Sequence, residues 1–270
     1  MTRIFVALIT AAALLLAACQ TVRTTAPGAI GVDRKQIMLV SEEEVEQGAQ
    51  QAYATEVGKA QQQGQLNVDP KQTERVRKIS QRLIVQVTVF RPDAAKWAWE
   101  VNVQKTNDLN AYCMPGGKIM VYSGLIDQLQ LNDAQLATVI GHEMAHALRE
   151  HSREAVSRAY AEQLGLGALG AVAGLSSGSV QLAGLIGDVT FSLPRSRVQE
   201  SEADRIGLEL MARAGYDPHA ALSLWKKMEQ ASQTGTPAFL STHPASSKRL
   251  ADLAALLPRV LPLYQAAPKR

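Results

Sequence analysis

Cysteine is scarce. Only Cys19 and Cys113 occur in 270 residues, too few to staple a small fold, so stability must come from a buried core, which a chain of this length can supply. Charge of one sign is also missing: 28 basic and 25 acidic side chains leave a formal +3, with no long Lys/Arg run. Such a mild field makes nucleic acid a poor choice of partner. A membrane span needs roughly 18 or more uninterrupted apolar residues. The stretch from Leu164 to Gly187 is uncharged, but Ser176, Ser177, Ser179 and Gln181 interrupt it. It reads as a flexible or close-packed helical pair over the active site rather than a transmembrane hairpin, with a membrane-contacting surface as the alternative. No internal repeat at a solenoid period is present. What remains, 46% hydrophobic and 20% charged residues, is the composition of a folded globular protein.

The first residues read as an address. Arg3 is the only charge before Arg23, and the apolar run from Ile4 to Ala18 has the length of a signal-peptide core. It ends in Leu16-Ala17-Ala18-Cys19, which resembles a bacterial lipobox. Residues 1–18 are therefore expected to be removed and Cys19 to carry lipid, and Gln20 after it fits outer-membrane cargo. Cys113 is then left without an intramolecular partner and reads as a small buried residue. Residues 19–36 carry Thr, Pro and Gly without periodicity and are expected to form a flexible tether, with the folded part spanning 37–270.

Within that part, Ser41 followed by Glu44 makes a capping box at the head of a polar helix. Asp69 before Pro70 caps a second helix through Ile79, Leu83 and Ile84. Trp97, Trp99, Val101 and Val103 alternate, and Lys118 to Tyr122 is a β-prone run after the turn Pro115-Gly116-Gly117, which predicts a small sheet. Everything after Leu125 reads helical. The fold class expected is α+β, predominantly helical.

Chemistry concentrates in one helix. Asn132 and Asp133 open it, Leu136, Val139, Ile140 and Leu148 fall at helical spacing, and inside lies the HExxH run His142-Glu143-Met144-Ala145-His146. Side chains four apart stand one turn above each other, so both imidazoles can reach one metal ion. Glu143 borders that face, placed to activate a water as a general base without being a ligand. A catalytic zinc site takes three protein ligands and keeps one position open. The metzincin continuation is absent, because Arg149 and Ser152 stand at its glycine and third-histidine positions. His151 is one residue short and reads as a polar residue near the helix end. Glu200-Ser201-Glu202-Ala203-Asp204 is the better source of a third ligand. Glu200 and Asp204 share a helix face, so Glu200 can ligate while Asp204 accepts a hydrogen bond from a zinc-bound histidine. Glu202 points elsewhere and is the second choice for the ligand.

HExxH followed by ExxxD, with Asn110 to Leu125 upstream and His243-Pro244 and Arg249 downstream, resembles the gluzincin metallopeptidases of peptidase family M48. That family includes prenyl-protein endopeptidases, mitochondrial Oma peptidases and bacterial periplasmic proteins. The resemblance implies a zincin-like metallopeptidase domain with a small sheet beside the HExxH helix. It implies one zinc ion per chain on His142, His146 and Glu200, and Glu143 acting as base and then acid. His243 would either stabilise the oxyanion or occupy the open position at rest. Gly116, Gly117 and the strand after them would offer a sheet edge to an extended, unfolded substrate. The function implied is a zinc endopeptidase for misfolded or damaged envelope proteins, lipid-anchored at the periplasmic face of the outer membrane. Envelope assembly factors or other proteases are candidate partners. The alternative is a non-catalytic, zinc-containing chaperone or assembly factor.

Overall fold

The computed structural model describes residues 20–167, 179–233, 237–244 and 248–268. Cys19, the expected signal segment and residues 168–178 of the expected helical pair lie outside them. Strands β1 (Gln20–Val22) and β2 (Gln36–Met38) pair antiparallel at the start. The residues between them belong to the fold, contrary to the expected tether. Thr25, Ile30, Val32 and Gln36 are buried, Ala26 N–H donates to the Phe90 carbonyl, and Ile30 N–H donates to the Glu209 carboxylate. These residues act singly on buried polar groups, and that kind of contact leaves no periodic trace in a sequence.

Helix α1 (Glu42–Gln62) carries the expected capping box between Ser41 and Glu44. Helix α2 (Pro70–Ile84) is capped by Asp69, which accepts from the Lys71 and Gln72 N–H groups, and it buries Val76, Ile79 and Leu83. Short 3-10 turns lead to β3 (Glu100–Gln104), β4 (Ala111–Met114) and β5 (Lys118–Tyr122). The sheet order is β3-β5-β4, with β3 parallel and β4 antiparallel to β5. The strand after the glycine turn is thus the central one, paired on both sides. The edge expected there for a substrate is not available, and the edge strand on that side is β4.

Helices α3 (Ser123–Gln128), α4 (Asp133–Leu148), α5 (His151–Gly167), α6 (Ser179–Phe191), α7 (Arg197–Arg213), α8 (Ala220–Ser232), α9 (Ala238–Thr242) and α10 (Arg249–Ala266) complete the described chain. Among the described residues no helix is long and apolar enough to cross a membrane. Helix α4 is buried on all sides: every residue from Gln135 to Leu148 is inside, where a surface helix would bury one stripe. It packs on β4, α2, α7 and α8. The sheet separates two apolar clusters by strand alternation. Ala111, Cys113, Ile119 and Val121 face α4 and the main core. Tyr112, Met114 and Met120 face Val45 and Tyr53 of α1 and Ile186 of α6.

Helices α4 and α7 meet through glycine. A Cβ on Gly207 would stand 2.8 Å from the His142 backbone nitrogen, and one on Gly141 would stand 3.1 Å from the Gly207 carbonyl oxygen. Only a residue without a side chain permits this approach, and it brings the HExxH run against the helix that carries Glu200.

Candidate metal centre

Four donor groups converge on one point. His142 Nε2 lies 3.1 Å from His146 Nε2 and 3.5 Å from Glu200 Oε2. His146 Nε2 lies 3.4 Å from Glu200 Oε1. His243 Nδ1 closes the set, 3.2 Å from His142 Nε2 and 3.0 Å from Glu200 Oε1. All four residues are buried. Bonds of about 2.0–2.1 Å to a tetrahedral zinc place ligand atoms roughly 3.3–3.4 Å apart, so these separations fit one such ion. The structure brings Glu200 to this cluster and not Glu202.

The other ring nitrogens face partners of their own. His142 Nδ1 is 3.0 Å from Asp204 Oδ1, the position expected for Asp204. Asp204 in turn accepts from Arg249 Nε at 2.7 Å, and Arg249 Nη2 donates to Glu200 Oε2 at 2.6 Å. The Arg249 guanidinium lies 3.8 Å over the Trp225 ring. His146 Nδ1 is 2.8 Å from His151 Nδ1, and His151 Nε2 is 3.0 Å from Glu202 Oε2. If His146 gives its Nε2 lone pair to a metal, its Nδ1–H donates to His151, which passes the bond on to Glu202.

His151 must be neutral for this, and burial lowers its pKa to about 4 against the pull of Glu202. Glu202 ties the relay to Arg149, at 3.1 Å, and to Arg34, at 2.8 Å. Burial opposes its charge, yet hydrogen bonds from His151 and Arg34 hold its carboxyl well below the usual range. His151 and Glu202 are thus the outer support of His146, a role their sequence positions did not disclose. A signal existed: Glu202 stands about 200° around the helix from Glu200, so it reaches whatever lies beyond the metal.

Glu143 is buried, and burial raises its pKa while His243, His142 and Arg195 oppose the rise. Its Oε1 lies 3.4 Å from His243 Nε2, without hydrogen-bond geometry, and has no partner among the described residues. For Glu200, burial is outweighed by the His243 charge and by hydrogen bonds from the histidines, so its carboxyl stays well below the usual range. Cys113 is free and buried, its thiol pushed up by burial and by Glu143. The two candidate substrate glycines are explained by the turn alone. Gly116 and Gly117 adopt φ of 74° and 80°, and a Cβ on Gly117 would meet the Trp99 ring at 2.6 Å.

Residues 70–257, well over half of the chain, match the profile of Peptidase family M48. The chain belongs to this family. Mitochondrial metalloendopeptidase OMA1 of Saccharomyces cerevisiae is 35% identical over 179 residues, 64% of this chain and 50% of that protein. The corresponding Arabidopsis thaliana protein is 38% identical over 152 residues, 56% of this chain and 30% of its own length. The beta-barrel assembly-enhancing protease of Escherichia coli is 31% identical over 193 residues, 68% of this chain and 38% of the relative. The chain thus matches half or less of each of these relatives. M48 metallopeptidases use zinc, and this donor set of two imidazoles and a carboxylate, with a third imidazole at the fourth position, fits that ion.

Proposed function

We propose that this M48 chain is a zinc-dependent endopeptidase that hydrolyses peptide bonds in misfolded or damaged envelope proteins. In this reading lipid on Cys19 holds it at the periplasmic face of the outer membrane. The observation that carries the enzymatic part is Glu143: a buried carboxylate beside the metal donors with an oxygen left unpaired. A structural zinc site has no use for such a base. Zinc, when bound on His142, His146 and Glu200, supplies Lewis-acid activation of the attacking water. Glu143 takes the proton of that water and later delivers it to the leaving amine. Burial, which raises the affinity of Glu143 for a proton, suits both halves of the cycle. Asp204 and His151 fix the two imidazole rings. His243 holds the fourth position at rest and gives way to substrate, which favours the second of the two roles expected for it.

The envelope assignment draws on the lipobox and on the similarity to a beta-barrel assembly-enhancing protease. One observation favours the alternative of a zinc-containing chaperone or assembly factor: four protein donors form a closed set, as in structural sites. A single comparison separates the two. Glu143→Gln is expected to keep one zinc per chain by metal analysis while casein cleavage falls by about 10²–10⁴-fold, and His243→Ala to speed cleavage. Undiminished cleavage by Glu143→Gln rejects the mechanism, and a native chain that binds zinc without cleaving casein at all favours the chaperone.

A further inference from the structure

Once His243 gives way, no side chain described so far donates a hydrogen bond to the oxygen of the attacked carbonyl. Arg195, just ahead of α7, has no assigned role and an anomalous setting. It is 8% exposed, and neither Nε nor Nη1 has a hydrogen-bond partner among the described residues. Arginine cannot shed its charge by losing a proton, and buried N–H groups left without acceptors cost stability. Folded proteins retain such a group where function supplies the missing acceptor.

Two observations locate it. Arg195 N–H donates at 2.8 Å to the carbonyl of Thr242, the residue before His243, so the segment that fills the fourth position is fastened to Arg195. Its charge also acts on Glu143, Glu200, His146 and His151. Neither carboxylate bonds it. Glu200 is committed to His243 and Arg249, and Glu143 keeps an unpaired oxygen of its own. Glu143 and Arg195 are therefore opposite buried charges with no hydrogen bond between them, and the Arg195 backbone holds the segment that carries His243.

We propose that Arg195 is a catalytic residue that donates hydrogen bonds to the scissile carbonyl oxygen and stabilises the oxyanion. The proposal rests on the endopeptidase reading above. As the water oxygen bonds to the carbonyl carbon, the C=O π pair moves onto the oxygen facing Arg195, and Glu143 takes the water proton. On collapse that pair re-forms C=O, the C–N bond breaks, and Glu143 passes the proton to the departing amine. Arg195 keeps its protons throughout, and its hydrogen bonds strengthen only as negative charge develops.

The test is Arg195→Met in the zinc-loaded full chain. The kcat for a casein-derived peptide should fall by about 10²–10³-fold with KM nearly unchanged. Affinity for a phosphinic peptide, whose P–O⁻ stands in for the oxyanion, should fall by a similar factor at unchanged zinc content. Arg195→Lys should restore part of kcat, which a merely structural role would not require. Unchanged kcat or a rise in KM alone would overturn the assignment. A native chain that cleaves nothing rejects the endopeptidase reading itself, and the assignment with it.

Discussion

His142 and His146 face the same point from opposite flanks, yet the groups behind them differ in kind. Behind His142 stands one carboxylate, Asp204, held by an arginine that lies on a tryptophan ring. Behind His146 stands a neutral histidine, then Glu202, then Arg149 with no exposed surface, and finally Thr24 and Arg34 of the N-terminal segment. Both arrangements orient an imidazole. The second also anchors the N-terminal segment through a fully buried arginine, so on that flank metal affinity and folding stability rest on the same atoms; the Asp204 flank ties in α10 through Arg249, which Glu200 holds as well, so there the two are less tightly joined.

The largest expected effect tests that coupling. Glu202→Ala strips Arg149 of its carboxylate and leaves a buried guanidinium unpaired, for a loss of about 3–5 kcal/mol in unfolding free energy. Urea melts of the zinc-free protein measure it, and a loss no greater than that of Asp204→Ala would erase the distinction between the flanks. Gly207→Ala acts on both flanks at once. Its Cβ would meet the His142 backbone, so overpacking is expected to cost about 1–3 kcal/mol and zinc affinity should fall with it. If the Gly207→Ala protein kept its zinc affinity intact, helix spacing would not govern the centre.

Asp204→Asn is expected to weaken zinc by about 10–100-fold in chelator competition, with a smaller change in the zinc-free melt than Glu202→Ala causes, because Glu200 still holds Arg249. The smallest effect comes from acid. Burial works against the Glu154 charge, but hydrogen bonds from Arg34 and Gln36 outweigh it and set its pKa at about 2, below its ordinary 4.5. The depressed value means its stabilisation is complete above pH 4.5 and disappears as pH falls toward 2. Melts of the zinc-free protein across that window should show the loss, and Glu154→Gln should flatten the slope by about one proton. An unaltered slope would remove Glu154 from the anchoring of the N-terminal segment.

The Asp204 flank was legible in the sequence and the His151 flank was not. HExxH and the Glu200–Asp204 pair each sit within one or two turns of helix, so spacing alone puts their side chains on a common face. The small residues Gly141, Ala145 and Ala147 announced a tightly packed helix, and α4 is one. The His151–Glu202 contact joins residues 51 apart, and its meaning depends on how α4, α5 and α7 are stacked. Residues 19–36 misled for a related reason. Threonines, an arginine and a glutamine satisfying buried groups one by one look, in sequence, like a polar linker. The central place of β5 was hidden because strand order is a long-range property that local alternation does not encode.

The bare α-carbons of Gly141 and Gly207 turn a packing detail into a gauge. The width of the metal cage is written in positions that contribute no atom to it, and one added methyl would widen the cage while leaving every ligand in the sequence. Substitutions at these two sites are therefore where natural or laboratory evolution could detune the ion without touching the residues by which the motif is recognised.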